Sequence, residues 1–206
     1  MNSGFFKYFL ILAISCMGFA ASNGNGQAQS RSLFLDLGQS TFTPTGWAEF
    51  CSRYKGDCEK SRGRLAEIIS SDSNVALIDR VNKQVNNSIK PLTDIDHWRE
   101  IDRWDYAEDG SGDCEDYALV KRRLLLAAGL PQAALLMTVV RDENMEGHAV
   151  LTVRTDRGDL VLDNMSDQLR LWFRTPYRFV KIQSQQDPNM WVAIGAVTTR
   201  PQIVSR

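Results

Sequence analysis

Past the midpoint of the chain, at Gly129-Leu130-Pro131, the spacing of apolar residues changes from helical to alternating. Upstream, Leu77, Ile78, Val81 and Val85 recur at helical intervals within Asn74 to Asn87, a segment stopped before Pro91, and Gly46 to Arg53 reads as a shorter helix. A further helix is predicted from Cys114 to Ala128, with Tyr117, Val120, Leu124, Leu125 and Ala128 on its buried side, Gly129 at the C-cap and Pro131 beyond. Between these helices, Asp94 to Gly112 is irregular and rich in Asp and Trp. Downstream, Ala133 to Val140, His148 to Arg154, Leu160 to Asp163, Leu169 to Phe173, Phe179 to Gln183 and Met190 to Ile194 are short β-branched or aromatic runs separated by turn residues. Helices followed by turn-linked strands predict an α+β fold, with a helical lobe over about 29–131 and an antiparallel sheet lobe over about 132–206.

The N-terminus is a separate matter. Lys7 lies in the apolar run Phe5 to Ile14, which continues to the small residues Gly18-Phe19-Ala20-Ala21, the pattern of a secretory signal peptide. The run falls short of the roughly 20 residues that span a bilayer. It leads into a polar tether, Ser22 to Gln27, so cleavage is expected after Ala20 or Ala28, with an uncleaved anchor as the alternative. Residues 1–28 are assigned to signal peptide and tether, and residues 29–206 to one folded domain. Lys and Arg number 24 against 25 Asp and Glu, a formal net charge of −1. No basic field is available to hold nucleic acid or an anionic membrane surface.

Of the 4 cysteines, Cys16 falls inside the apolar run, in the poor lipobox Ala13-Ile14-Ser15-Cys16, and reads as signal-peptide filler. The remainder is an odd number in an oxidising compartment, which leaves one thiol unpaired. Cys51 and Cys58 are close in sequence, with Gly56 able to turn a short bridged loop. Cys114 is then left over, and a thiol kept where oxidation threatens points to use. A buried, inert cysteine is the plain alternative, so the surroundings of Cys114 decide.

Asp113 is placed to cap the helix, with Asp116 three residues on in a capping-box-like pair, so Cys114 falls in the first helical turn near unpaired backbone N–H groups. The helix dipole favours a thiolate there by about 0.3–1 kcal/mol. Asp113, Glu115 and Asp116 oppose it, and they win unless a base that becomes cationic, or a bound metal, offsets their charge. Only 2 histidines exist to supply that base. His97 lies in the acidic stretch Asp94-Ile95-Asp96-His97-Trp98. His148 opens the strand Gly147 to Val153, which turns back through Asp156-Arg157-Gly158-Asp159 into Leu160-Val161-Leu162-Asp163 and brings Asp163 opposite or diagonal to it. Thiol catalysis requires such an arrangement: the imidazole takes the thiol proton, and the carboxylate fixes the ring and its tautomer. One leftover Cys and two His are too few for a closed zinc site without carboxylates.

The wider pattern runs from Trp98 and Trp104 into Gly112-Asp113-Cys114-Glu115-Asp116-Tyr117-Ala118, then Lys121, Leu125 and Gly129-Leu130-Pro131, then Gly147-His148-Ala149-Val150-Leu151 and Leu162-Asp163-Asn164, with Trp47-Ala48-Glu49-Phe50-Cys51 upstream. In these residues the chain resembles the bacterial transglutaminase-like cysteine proteinases, whose best-known members are the periplasmic LapG-type proteases. The resemblance implies a papain-like fold of transglutaminase type, with Cys114, His148 and Asp163 as the catalytic triad. It suggests calcium (Ca2+) bound by Asp113 and Glu115, with Asp116 as a third candidate. It further implies a periplasmic endopeptidase that cuts near the N-terminus of a large cell-surface adhesin, typically beside a di-alanine, and so releases cells from biofilms. An inner-membrane cyclic-di-GMP receptor is implied as the partner that sequesters the protease. On the residues alone the acids read equally well as solvated helix caps, and their spacing does not make an EF-hand loop. The oxyanion is expected to meet the Cys114 backbone N–H and one side-chain donor, for which Trp98 and Trp104 are candidates beside a packing role. Two other functions fit the same residues: transglutaminase or amidase acyl transfer on peptides or peptidoglycan, and a calcium-dependent binding module without turnover.

Overall fold

The computed structural model describes residue 1, residues 32–60 and residues 65–195. The expected signal peptide, its cleavage positions and Cys16 lie outside the described residues. No helix among the described residues is long and apolar enough to cross a membrane.

In chain order the elements are strand β1 (Ser40–Thr41), helices α1 (Thr45–Arg53) and α2 (Asp72–Ser88), strand β2 (Lys90–Pro91), helix α3 (Asp94–Trp98), strand β3 (Ser111–Gly112) and helix α4 (Cys114–Ala127), followed by strands β4 (Leu135–Arg141), β5 (Gly147–Thr155), β6 (Gly158–Asp163), β7 (Ser166–Leu171), β8 (Arg178–Gln183) and β9 (Trp191–Ala193). Seven strands make one antiparallel sheet in the order β1-β9-β8-β4-β5-β6-β7, and β2 pairs with β3 in parallel. Helices before an antiparallel sheet give the α+β architecture read from the sequence. The division into lobes is less clean, because β1 comes from the upstream half and places Ser40 against Val192 of β9. Asp94–Trp98, expected to be irregular, is a short helix whose start is capped by the Thr93 side chain accepting from the Asp96 N–H. Neither element is long enough to show a period; β1 is fixed by a strand distant in sequence, and α3 by its local cap together with the Asp94 N–H bond to Asp113 Oδ2.

The near-continuous apolar run of β4 follows from burial on both faces, an uncommon situation for an antiparallel strand. Leu135, Met137 and Val139 join Ala149, Leu151, Val153 and Leu162 beneath the helices, while Leu136 and Val140 pack with Val150, Val161, Phe179, Ile182 and Leu35 on the other side. Helix α1 is pinned by aromatic edges: Trp47 meets Trp104 at 6.0 Å and Trp191 at 6.4 Å between ring centroids. Each such ring buried contributes about 1.5–3 kcal/mol. The Cys51–Cys58 disulfide ties the end of α1 to the turn that follows, as the cysteine arithmetic predicts. Gly158 takes φ +119 at the tight β5–β6 turn, where a Cβ would also lie 2.7 Å from the Leu33 carbonyl oxygen.

The β2–β3 pair positions the site. Lys90 N–H donates to the Gly110 carbonyl at 2.9 Å and Leu92 N–H to the Gly112 carbonyl at 3.0 Å, which lays the start of α3 beside the start of α4.

Candidate active site

The backbone leaves β3 extended at Asp113 (φ −113, ψ −161) and turns helical at Cys114, so the thiol occupies the first turn of α4. Tyr117 N–H closes that turn on the Asp113 carbonyl at 3.2 Å. A Cβ at Gly112 would sit 2.3 Å from Asp116 Oδ2, so only glycine allows β3 to approach the helix this closely. Asp113 holds the cap position, but its side chain makes no cap bond. Its Oδ2 accepts from Asp94 N–H at 3.3 Å, and Asp116 Oδ1 accepts from Asp105 N–H at 2.7 Å. The capping-box expectation is corrected in half: the Asp113 side chain turns to the Asp94 N–H instead of the helix, while the Asp116 carboxylate keeps its bond back to the Asp113 N–H.

Cys114, His148 and Asp163 are brought together and buried. Cys114 Sγ accepts from the Ala149 N–H at 3.3 Å, and its thiol donates to Glu115 Oε2 at 3.2 Å. His148 Nε2 lies 3.0 Å from Asp163 Oδ1. The register that sets Leu151 against Leu162 makes Asp163 the diagonal neighbour of His148 on one side of the β5–β6 ladder. The buried ring also hydrogen-bonds the Cys114 side chain, so it stands between the thiol and the carboxylate. Burial opposes a charged imidazole, but the adjoining Cys114 and Asp163 outweigh it and raise the His148 pKa to about 10. Burial also pushes the Asp163 carboxyl up, yet hydrogen bonds from His148, Tyr177 and the Met165 N–H hold it below the usual carboxylate range. A carboxylate paired with an imidazole that is ready to hold a proton is what nucleophile activation needs.

Tyr177 was not singled out by the sequence. Its hydroxyl donates to Asp163 Oδ2 at 2.5 Å, and its ring stands 5.3 Å from that of His148. The residue precedes β8 and carries no spacing signal toward Asp163. Trp104 is corrected to a core residue: it is fully buried, and its Nε1 donates to Asp102 Oδ1 at 2.9 Å, leaving no donor for an oxyanion. Trp98 is exposed, stacked 4.0 Å from the His97 ring with the Arg103 guanidinium 4.5 Å from its centroid. His97 is engaged with Asp109 at 2.7 Å.

The three predicted metal-binding acids also come together, and Asp94 joins them. Carboxylate oxygens of Asp94, Asp113 and Asp116 lie within 4.8 Å of one another, and Asp113, Cys114 and Glu115 form a second such group. At that separation each ionised pair costs about 3 kcal/mol at an effective dielectric near 20. Three pairs together approach about 10 kcal/mol, the scale of a whole domain's stability. Burial first, and mutual repulsion second, push Asp113 up to about 7 and Asp116 up to about 9, and carry Glu115 well above its usual range. Burial raises Asp94 as well. The carboxyls of Asp94 and Asp113 hydrogen-bond that of Glu115, which requires a proton among them. Once ionised, such hard oxygens are the donor set calcium takes, whereas the sulfur is too soft to compete for it.

A buried thiol at a helix start, beside a strand histidine that is itself held by a strand carboxylate, is an arrangement suited to thiol chemistry. The family model of the bacterial transglutaminase-like cysteine proteinases matches residues 37–199, and the chain belongs to that family; it is a cysteine protease of transglutaminase-like fold. Calcium-bound LapG of Legionella pneumophila is similar in structure, with a TM-score of 0.51 and 23% identity over 64% of this chain and 76% of that one. EGTA-treated LapG of the same organism gives a TM-score of 0.50 and 25% identity over 61% of this chain and 69% of that one. No curated protein matches the chain in sequence.

Proposed function

We propose that the chain is a periplasmic cysteine endopeptidase that cuts the N-terminal region of a large cell-surface adhesin and so promotes biofilm dispersal, with Cys114 as nucleophile, His148 as base and Asp163 as the acid that orients it. The observation that carries the reading is the His148 ring: Nε2 meets Asp163 Oδ1, and the ring's other side-chain hydrogen bond is to Cys114. In the reaction Nδ1 takes the Cys114 proton and the thiolate attacks the peptide carbonyl. The imidazolium then gives its proton to the departing amine, which leaves an acyl-enzyme. His148 next deprotonates a water that attacks the acyl carbon, and the proton returns to the sulfur as the acid product departs. The Cys114 backbone N–H, unpaired at the helix start, is a donor for the oxyanion.

Asp113 and Glu115, with Asp116 and Asp94 beside them, are the residues that would hold calcium, and the ion would supply the positive charge that lets these acids ionise together next to the sulfur. LapG structures with calcium and after EGTA treatment accord with the same ion here. The apolar N-terminal run supports export, and an inner-membrane cyclic-di-GMP receptor is the proposed restraining partner. The test is incubation of the purified protein with N-terminal fragments of the large adhesins encoded in the same genome, with calcium or with EGTA, beside Cys114→Ala. A calcium-dependent cut made only by the protein with Cys114 is expected. Fragments left whole by a protein whose Cys114 reacts readily with iodoacetamide would remove the adhesin from the reading, and a cut made by Cys114→Ala would remove the thiol.

A further inference from the structure

Asp163 closes β6 where the ladder to β7 is irregular: the register shifts between Val161 and Asp163, so regular sheet pairing does not by itself fix the acid. Helix α2 reaches this turn with Asn82 and Asn86, which lie one helical turn apart and share a face. Asn82 Nδ2 donates to the Ser166 carbonyl at 3.0 Å. Asn86 Nδ2 lies 3.0 Å from the Asp163 carbonyl, 3.3 Å from the Ser166 carbonyl and 2.9 Å from Asp167 Oδ1. One side-chain amide thus serves both ends of the turn that carries the acid.

Both amides spend their N–H groups on this turn rather than on their own helix. Asparagine is a poor helix-interior residue. Such costs are tolerated where a site gains from them.

We propose that Asn86, supported by Asn82, is a positioning clamp that holds the 163–167 turn against α2 so that Asp163 meets His148 Nε2. The clamp rests on the Cys114, His148 and Asp163 reading, and Asn86 acts only through Asp163. The test is the rate at which iodoacetamide alkylates Cys114 in the purified, calcium-loaded protein, read by peptide mass mapping, for Asn86→Ala, Asn86→Asp and Asn86→Gln. Each is made both with Asp163 and with Asp163→Ala, which leaves nothing for the clamp to aim, and melting temperatures are recorded in parallel. With Asp163 present, Asn86→Ala is expected to slow alkylation about 10-fold, the size seen when a supporting hydrogen bond behind a functional group is lost. Asn86→Asp should slow it at least as much, because the N–H donors go and a charge arrives beside Asp163 and Asp167. Asn86→Gln, which keeps the amide, should recover part of the rate. With Asp163→Ala none of the three should slow it further. Wild-type rates in the Asn86 variants beside a slow Asp163→Ala overturn the clamp alone, as does equal slowing in both backgrounds. A wild-type rate in Asp163→Ala itself overturns the triad reading on which the clamp depends. Should Asn86→Ala fail to fold, Asn86→Gln carries the comparison between the two backgrounds.

Discussion

In Asp163→Asn, the carboxylate that orients His148 becomes a neutral amide of the same shape, and the surrounding hydrogen bonds decide which way the amide turns. His148 Nε2 and the Met165 N–H both meet Oδ1, each at 3.0 Å, while the Tyr177 hydroxyl donates to Oδ2. The Met165 backbone N–H can only donate. The new side chain therefore keeps its carbonyl at the Oδ1 position and turns its NH2 to the Tyr177 hydroxyl, which can accept. His148 still presents Nε2–H to an acceptor, so Nδ1 remains a base toward Cys114. What goes is the charge: a hydrogen bond to a charged group contributes about 1.5–3 kcal/mol against about 0.5–1.5 for a neutral one. The difference of about 1–2 kcal/mol corresponds to roughly 5–30-fold in rate. Asp163→Ala removes the acceptor from all three donors and frees the tautomer, with an expected loss of about 1,000-fold or more. The assay is kcat/KM for cleavage of an adhesin fragment by the unaltered protein and both variants. An Asn variant as inactive as the Ala variant would refute the reasoning, because it would mean that the amide presents its NH2 to the ring.

Cys114→Ala should abolish cleavage while leaving the melting temperature nearly unchanged, and His148→Ala should be comparably severe; turnover near the unaltered level in either would exclude the base-assisted thiol. For the acid cluster the sign follows from proton counting. Asp113 is raised from 3.8 to about 7, so between those pH values the calcium-free folded state retains a proton that the unfolded state has released, and stability is lost as pH rises through that window. The melting temperature in EGTA should fall across it, calcium should flatten the fall and raise the temperature at neutral pH, and Asp94→Ala should weaken the calcium effect as Asp113→Ala does; indifference of melting to EGTA would return these acids to a capping role. Opening the Cys51–Cys58 bridge, which spans a sequence separation of 7, should cost about 2.5 kcal/mol in the chain-entropy picture. That corresponds to a melting temperature about 5–10 °C lower for a domain of this size. Cleavage at room temperature should be untouched, and an activity loss without a stability loss would place the bridge in the site.

The place of Cys114 and the His148–Asp163 diagonal were legible because each has a local origin, whereas the approach of α4 to β5 that joins them does not. A helix start and its preceding polar residue set the place of the thiol, and a short β5–β6 turn sets the diagonal between base and acid. Asp94 was not legible as a member of the acid cluster. Its approach to Asp113 depends on β2 and β3, strands too short to show alternation. The same pairing misled the reading of the Asp113 side chain as a cap, since the Asp94 N–H that takes its oxygen comes from a segment the helix pattern does not include. Tyr177 and Asn86 reach Asp163 from elements separated from it in sequence, with no periodicity linking them. Trp104 looked free to serve the site only because its ring partners, Trp47 and Trp191, come from opposite ends of the domain.

The most direct test of the central claim is the pH dependence of iodoacetamide alkylation of Cys114 in the calcium-loaded protein, measured beside His148→Ala. An imidazole that takes the thiol proton predicts rapid alkylation that persists at and below neutral pH in the unaltered protein. In His148→Ala, alkylation should become fast only as the pH approaches the ordinary thiol range near about 8.5. Two superimposable profiles, both rising through that range, would contradict the account.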